Sequence, residues 1–283
     1  MKIGIVGFGF VGIAVYEFFK DLVDVKVYDL YKKDISVESL NDLLDDRILF
    51  VCLPTPMKKS GECDTSIISS VLDDLNNLSS NKNTSIIIKS TIPPGSTELF
   101  INTYQNLRIC FNPEFLTEAN FVDDFKNQDR VILGTHEKDY FDTLKSLYRL
   151  GFPNINIIHT KPVEAEMVKY VANTFLATKV SFANEIYNIC NFLQIDYDTV
   201  VDIARIDSRL GDSHWQVPGP DGKKGFGGSC FPKDINALIS FCKTNNIELN
   251  TIASAWDTNL KVRPEQDWKE LKGRAVSESE SES

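Results

Sequence analysis

No stretch of this sequence approaches 18 consecutive apolar residues, so no bilayer-spanning helix is expected. The opening MKIGIVGFGFVG enters strand-like sequence without the basic region and longer apolar run of an export signal, which makes a cytoplasmic location the expectation. CxxC pairs are absent, and no histidine cluster accompanies the cysteines at 52, 63, 110, 190, 230 and 242. Neither a metal site nor a disulfide framework fits that scatter, and reduced thiols are the default. Basic residues fall short of acidic ones, 30 against 40, for a formal charge of -10. Nucleic acid and anionic membrane surfaces require clustered Lys and Arg, so neither is expected as a partner. A small diphosphate can still be met by local basic groups.

What is present supports a core of ordinary size. At 283 residues and 42% hydrophobic content the chain accommodates one large or two ordinary domains. Residues 1–158 alternate β-branched runs with amphipathic stretches, the pattern of βαβ units. Strands are expected at 2–6, 25–29, 48–52, 85–89, 108–111, 131–134 and 155–158, with helices at 11–20, 66–78 and 138–150 among them. This reads as an α/β, doubly wound parallel sheet. Residues 159–262 read as mostly helical, with one long helix over 163–193 and shorter ones at 197–205, 231–244 and 252–262. Between these helices the segment DSRLGDSHWQVPGPDGKKGFGGSC is too rich in Gly and Pro for regular structure and is expected to be a functional loop. Residues 263–283 read as a C-terminal extension ending in the solvated low-complexity tail SESESES.

The first strand runs into Gly7-Phe8-Gly9-Phe10-Val11-Gly12 and then a helix, and the acidic Asp29 closes the second strand. A bare GxGxxG is weak, but this context is that of a Rossmann-like dinucleotide site. Gly7 permits the tight turn, Gly9 the approach of a pyrophosphate, and Gly12 close helix–strand packing, while the helix N-terminus faces the anion. Asp29 suits the adenosine ribose hydroxyls and favours NAD over NADP, with Lys32 and Lys33 nearby arguing the other way.

Four further segments couple reactive side chains to backbone devices: KSTIPPGS, NPEFLTEA, EMVKYVANTF and GFGGSCFPKD. Cys230 immediately precedes a predicted helix whose Pro and acidic residue suit a first turn, and a thiol at a helix N-terminus is a natural nucleophile. Lys169 and Asn173 are i and i+4 on the long helix, so both project from one face, where an ammonium stabilises a developing alkoxide and an amide orients it. Glu114 and Glu118 are expected one helical turn apart as acid/base candidates.

In their order along the chain, GFGFVG, FVCLPTP, KSTIPPGST, NPEFLTEAN, the Lys-Asn helix and GFGGSCFPKD resemble the UDP-glucose/GDP-mannose dehydrogenase family over roughly residues 1–262. The resemblance implies an NAD-dependent oxidoreductase of nucleotide-sugar metabolism and polysaccharide biosynthesis. It implies that a sugar C6 alcohol, with UDP-glucose the first expectation, is oxidised twice to the acid through a thiohemiacetal and thioester on Cys230, with two NADH formed. It implies that Lys169, Asn173 and Asp234 position substrate oxygen or water, Thr91 contacts water or substrate, and Glu114 transfers protons. Glu118 is implied in substrate contact and thioester hydrolysis. Phe115, Leu116 and Gly227 are implied in substrate binding, Pro54, Thr55 and Thr91 in cofactor binding, and Arg209 in holding a substrate phosphate or carboxylate, in some family members across a subunit boundary. Family chains usually continue into a third domain, which is not expected here, and that leaves open how the nucleotide half is bound. A single-step β-hydroxyacid dehydrogenase of the 6-phosphogluconate type and a catalytically degenerate nucleotide-binding subunit are the alternatives. The long helix carries Met167, Val168, Val171, Phe175, Leu176, Val180, Phe182, Ile186 and Ile189, more apolar surface than one intrachain face buries, so a homodimer is expected.

Overall fold

The computed structural model describes residues 1–45, 47–79 and 84–278; residues 279–283 of the expected tail lie outside the described residues. The chain forms two compact units, residues 1–55 with 65–169, and residues 56–64 with 170–283.

In the first unit the alternation of β-branched runs and amphipathic segments becomes β1 (Lys2–Val6), α1 (Phe10–Phe19), β2 (Asp24–Tyr28), β3 (Ile48–Val51), α2 (Ser66–Leu78), β4 (Thr84–Ile88), α3 (Ser96–Thr103), β5 (Leu107–Phe111), α4 (Phe121–Lys126), β6 (Arg130–Gly134), α5 (Lys138–Arg149) and β7 (Asn156–Thr160). The strands make one seven-stranded sheet in the order β2-β1-β3-β4-β5-β6-β7. Strands β1 to β5 are parallel, as expected of a doubly wound sheet. One local difference appears at β6, which meets β5 antiparallel through Phe111 and Gly134, with β7 parallel to β6. The link between β5 and β6 contains only the short α4.

Side chains alternate across the sheet. Ile48 and Phe50 of β3 join a core with Ile5, Phe19, Tyr140 and Leu144 on one face. Leu49 and Val51 join Leu72, Ile88 and Phe100 on the other. Each such side chain contributes about 1.5–3 kcal/mol on burial, so covering both faces fixes the register of the sheet. The strand order reverses between β1 and β3, and the segments leaving their carboxyl ends are Gly7–Gly12 and Leu53–Thr55, where a doubly wound sheet binds its ligand.

The long helix α6 (Pro162–Leu193) opens in the first unit and continues into the second. Its first turn packs on β6 so tightly that a Cβ at Gly134 would lie 2.8 Å from that of Ala165. The second unit adds α7 (Tyr197–Ala204), α8 (Phe231–Thr244) and α9 (Asn250–Val262). Residues 56–64 belong to it rather than to the sheet that surrounds them in sequence: Met57 bridges Cys63 and also Val276. The C-terminal extension is packed as far as it is described. Trp268 and Ala275 are fully buried, and the Ser277 amide donates to the Met57 carbonyl, so the beginning of the tail is paired rather than solvated.

A Cβ added to Gly12 would sit 2.1 Å from the Gly7 carbonyl oxygen, which forces helix and turn apart. Gly12→Ala is expected to destabilise the protein by about 1–3 kcal/mol. Urea denaturation checks this, and an unchanged midpoint would refute it.

Candidate active site

The turn after β1 shows three glycines with three different jobs. Gly7 has φ +92°, and a Cβ there would lie 2.6 Å from the Cys52 carbonyl oxygen. Gly12 is closed by backbone. At Gly9 nothing lies within 4 Å of an added Cβ, so the chain leaves open space at the N-terminus of α1, whose first turn holds no acidic residue. Phe10 and Val11 open that helix. Open backbone at a helix N-terminus is what a diphosphate requires, so the residues present fit a dinucleotide. Asp29 accepts from the Phe8 amide at 2.7 Å and from those of Tyr31 and Lys32. Burial opposes its charge, but these backbone donors outweigh burial and hold its carboxyl below the usual range. Lys32 donates to the Phe8 carbonyl, and Lys33 lies over the Tyr28 ring.

The loops beside this turn are fastened to one another. The Leu53 amide donates to the Ser90 hydroxyl, and the Thr55 hydroxyl donates to the Thr91 carbonyl at 2.7 Å. Pro54 lies between the two tied residues. Downstream of Thr91, the Gly95 and Thr97 amides and the Thr97 hydroxyl all donate to Glu166 of α6. Glu166 thereby caps α3, although its complete burial still raises its pKa.

Lys169, one turn on from Glu166, donates to the Glu114 carbonyl at 2.7 Å and to its carboxylate at 2.9 Å. The pair is almost dry, with side chains 4% and 10% exposed. Burial raises the Glu114 pKa, but Lys169 and the Leu116 amide outweigh burial and lower it. Glu114 and Glu118 are not a helical pair. Residues 112–117 are irregular, because Glu114 turns back to accept from Leu116, and the exposed Glu118 lies in the turn before α4. The Phe115 ring stands between cations, 4.6 Å from the Arg130 guanidinium and 5.6 Å from Lys169 Nζ.

Beneath this segment lies Lys89, which sequence reasoning passed over although it opens the quoted KSTIPPGS. Its Nζ donates to the Asn112 side-chain oxygen at 2.8 Å, and that oxygen also accepts from the Tyr148 hydroxyl. Asn112 completes its bonding through Ile132. Burial pushes the Lys89 pKa down to about 8. No periodicity marks such a residue; its significance lies in contacts between β4, β5 and α5.

In the second unit Cys230 is half-buried and forms the N-cap of α8, with Pro232 in the first turn, as its sequence context predicts. Asp234, one turn on, is buried. It accepts from the Asn173 amide and from Lys233, each at 2.5 Å. Burial works against the Lys233 charge, but Asp234, Cys230 and Cys63 outweigh it and hold the ammonium well above its ordinary range. Lys233 was the second residue missed. Arg209 is not gathered into this group: its side chain is 87% exposed and paired with Asp207. Gly227 lies against the Arg263 guanidinium. Among the described residues no cluster of His, Cys, Asp and Glu could hold a metal ion, and no helix is long and apolar enough to cross a membrane.

Two sequence models of one family match the chain: the NAD binding domain of the UDP-glucose/GDP-mannose dehydrogenase family over residues 35–150, and its central domain over residues 163–261. The UDP-glucose 6-dehydrogenase AglM of Haloferax volcanii is 30% identical, with 92% of this chain and 69% of that protein covered. The chain belongs to the UDP-glucose/GDP-mannose dehydrogenase family. A UDP-glucose 6-dehydrogenase of Rickettsia bellii is 38% identical over 228 residues, which cover 79% of this chain and 51% of that protein. The chain thus matches about half the length of such curated relatives. Among solved structures, a UDP-glucose dehydrogenase of Pyrobaculum islandicum superposes with a TM-score of 0.80 at 25% identity, covering 92% of this chain and 68% of that one. The family match takes in Thr91, Glu114, Lys169, Asn173, Cys230 and Asp234, and it begins after the Gly7–Gly12 turn.

Lys89 gives a signed pH dependence. Between about pH 8 and its unfolded value of 10.5 the unfolded chain holds the proton that the folded chain has lost, so stability from this group rises with pH across that window. Relative to Lys89→Met, the wild type should gain on the order of 1–3 kcal/mol between about pH 7 and about pH 10. Parallel urea titrations at both pH values check this, and a pH-independent difference would refute it.

Proposed function

We propose that this chain acts as an NAD-dependent nucleotide-sugar 6-dehydrogenase, converting UDP-glucose to UDP-glucuronate in two oxidations through a thioester on Cys230. The observation that carries the reading is the half-buried Cys230 thiol at the start of α8, one turn from an Asp234 already bonded to Asn173 and Lys233. A single-step dehydrogenase has no use for a thiol so placed. NAD, when bound, supplies the hydride acceptor for each oxidation. Asp29 favours it over NADP by repelling a 2′-phosphate, and Lys32 and Lys33 are already engaged with Phe8 and Tyr28.

Glu114, held ionised, accepts the C6 hydroxyl proton, while Lys169 stabilises the developing alkoxide. The Cys230 thiolate then adds to the aldehyde carbon to form a thiohemiacetal, and the second oxidation leaves the thioester. Water, oriented by Asp234, breaks the C–S bond and returns the thiol. Asn173 fixes the orientation of the substrate oxygen, and Arg209, exposed on this chain, reaches a substrate phosphate of a neighbouring subunit. The same reading includes a homodimer: Val168, Val171, Phe175, Phe182 and Ile189 lie exposed at helical spacing along α6.

Wild-type protein given limiting UDP-glucose should release two NADH per sugar, as read by absorbance. Cys230→Ala should abolish the overall conversion while binding NAD normally. A Cys230→Ala variant that retains full activity with two NADH per sugar would overturn the thioester route. Sedimentation should report a species of twice 31.9 kDa at micromolar protein, and a stable monomer would refute the dimer.

A further inference from the structure

The loop that delivers Cys230 has little rigidity of its own, since Gly225 and Gly228 both sit at positive φ within Gly-Phe-Gly-Gly. It is held from outside, chiefly by α9 and the residues after Val262. Asn259 clamps Phe226 from both sides, accepting from its amide at 2.7 Å and donating to its carbonyl at 3.0 Å. Arg263, at the end of α9, donates to the Lys224 carbonyl and lies flat against Gly227: a Cβ there would fall 2.4 to 2.7 Å from three guanidinium atoms. No side chain but hydrogen fits between them.

Arg263 is itself anchored. Its fork takes both carboxylate oxygens of Asp267, at 2.7 and 2.9 Å, and one of Asp221 at 2.5 Å. Burial opposes the cation, but these two carboxylates outweigh burial and keep it charged. An apolar path runs beside the polar one. Trp268, next to Asp267, is buried against Trp256 at 5.2 Å between ring centroids, and Trp256 packs on Phe226 at 6.1 Å. Both paths start beyond Val262, past the residues that match the family's central domain, and both end on the loop just before Cys230.

We propose that Arg263 is a positioning residue for Cys230, and that the C-terminal segment from residue 263 is the clasp that holds it rather than a dispensable extension. The proposal rests on the reading of Cys230 as the nucleophile. A planar fork is needed because one group must meet Asp267 with two donors, meet Asp221 with another and present a flat face to Gly227; a lysine ammonium meets only the charge.

The test compares wild type with Arg263→Lys and Arg263→Met in the full chain. Iodoacetamide labelling of Cys230 is followed across pH by peptide mass, below the temperature at which circular dichroism shows unfolding. In Arg263→Met the labelling midpoint should rise by roughly half a pH unit as the thiol leaves its place at the helix N-terminus. Turnover should fall about 100-fold. NAD binding, followed by fluorescence, should be unchanged, and Arg263→Lys should fall between. A folded Arg263→Met whose Cys230 labelling profile coincides with wild type overturns the proposal, as does an equal loss of NAD affinity. Should Arg263→Met fail to fold, Asp267→Asn carries the same expectation with a smaller shift, and an unchanged profile there overturns it equally. Failure of the wild type to oxidise UDP-glucose would sink the proposed function alone, because the labelling profile is read without substrate.

Discussion

Buried polar groups cost several kcal/mol unless they are partnered, and those of α6 include Glu166, Lys169 and Asn173, at positions i, i+3 and i+7 of one face. Glu166 takes the amides that open α3, Lys169 takes Glu114, and Asn173 donates to Asp234. Each bond satisfies a group that burial would otherwise penalise, and each fastens a loop to α6 within its own unit. Removing one partner would leave the other buried and short of a bond, which is why these loops have defined positions despite their Gly and Pro content. The helix contributes regular spacing, and the loops contribute chemistry.

Charge in these sites is tuned by burial and neighbours rather than by residue type. Lys89 is buried and Lys233 largely so, yet they move in opposite directions. Lys89 meets only neutral acceptors in direct hydrogen bonds, so desolvation dominates. Lys233 touches the Asp234 carboxylate, and that attraction prevails over desolvation. Glu114 follows the same rule, with Lys169 against it. An ionised carboxylate beside a dry ammonium is an arrangement suited to moving a proton.

Glycine has contrasting uses in the two units. In the first, Gly9 leaves space for a ligand, whereas Gly7 and Gly12 are pressed against backbone. In the second, Gly225 and Gly227 are pressed against Asn259 and Arg263, so the missing side chains make room for the protein itself. A motif match does not distinguish these cases, because the same letter records both an open cradle and a filled joint.

By itself the sequence determined the elements whose signals are local. The alternating strands, the unbroken α6, the glycine turn with Asp29 and the placement of Cys230 at the head of α8 are all set by spacing and by Gly or Pro within a few residues. The helical pairing of Glu114 with Glu118 failed because a local hydrogen bond to Leu116 outcompeted the helix. Short α3 and α4 carried too few turns to register as periodic. Lys89, Glu166 and Lys233 stood inside recognised motifs without being singled out, since their partners are fixed by neighbouring elements. Only the tertiary structure decided that residues 56–64 join the C-terminal unit and that Arg263, Asp267 and Trp268 form a clasp. Periodicity records which face of an element is buried, whereas the partner of a buried charge is set by where distant parts of the chain come to rest.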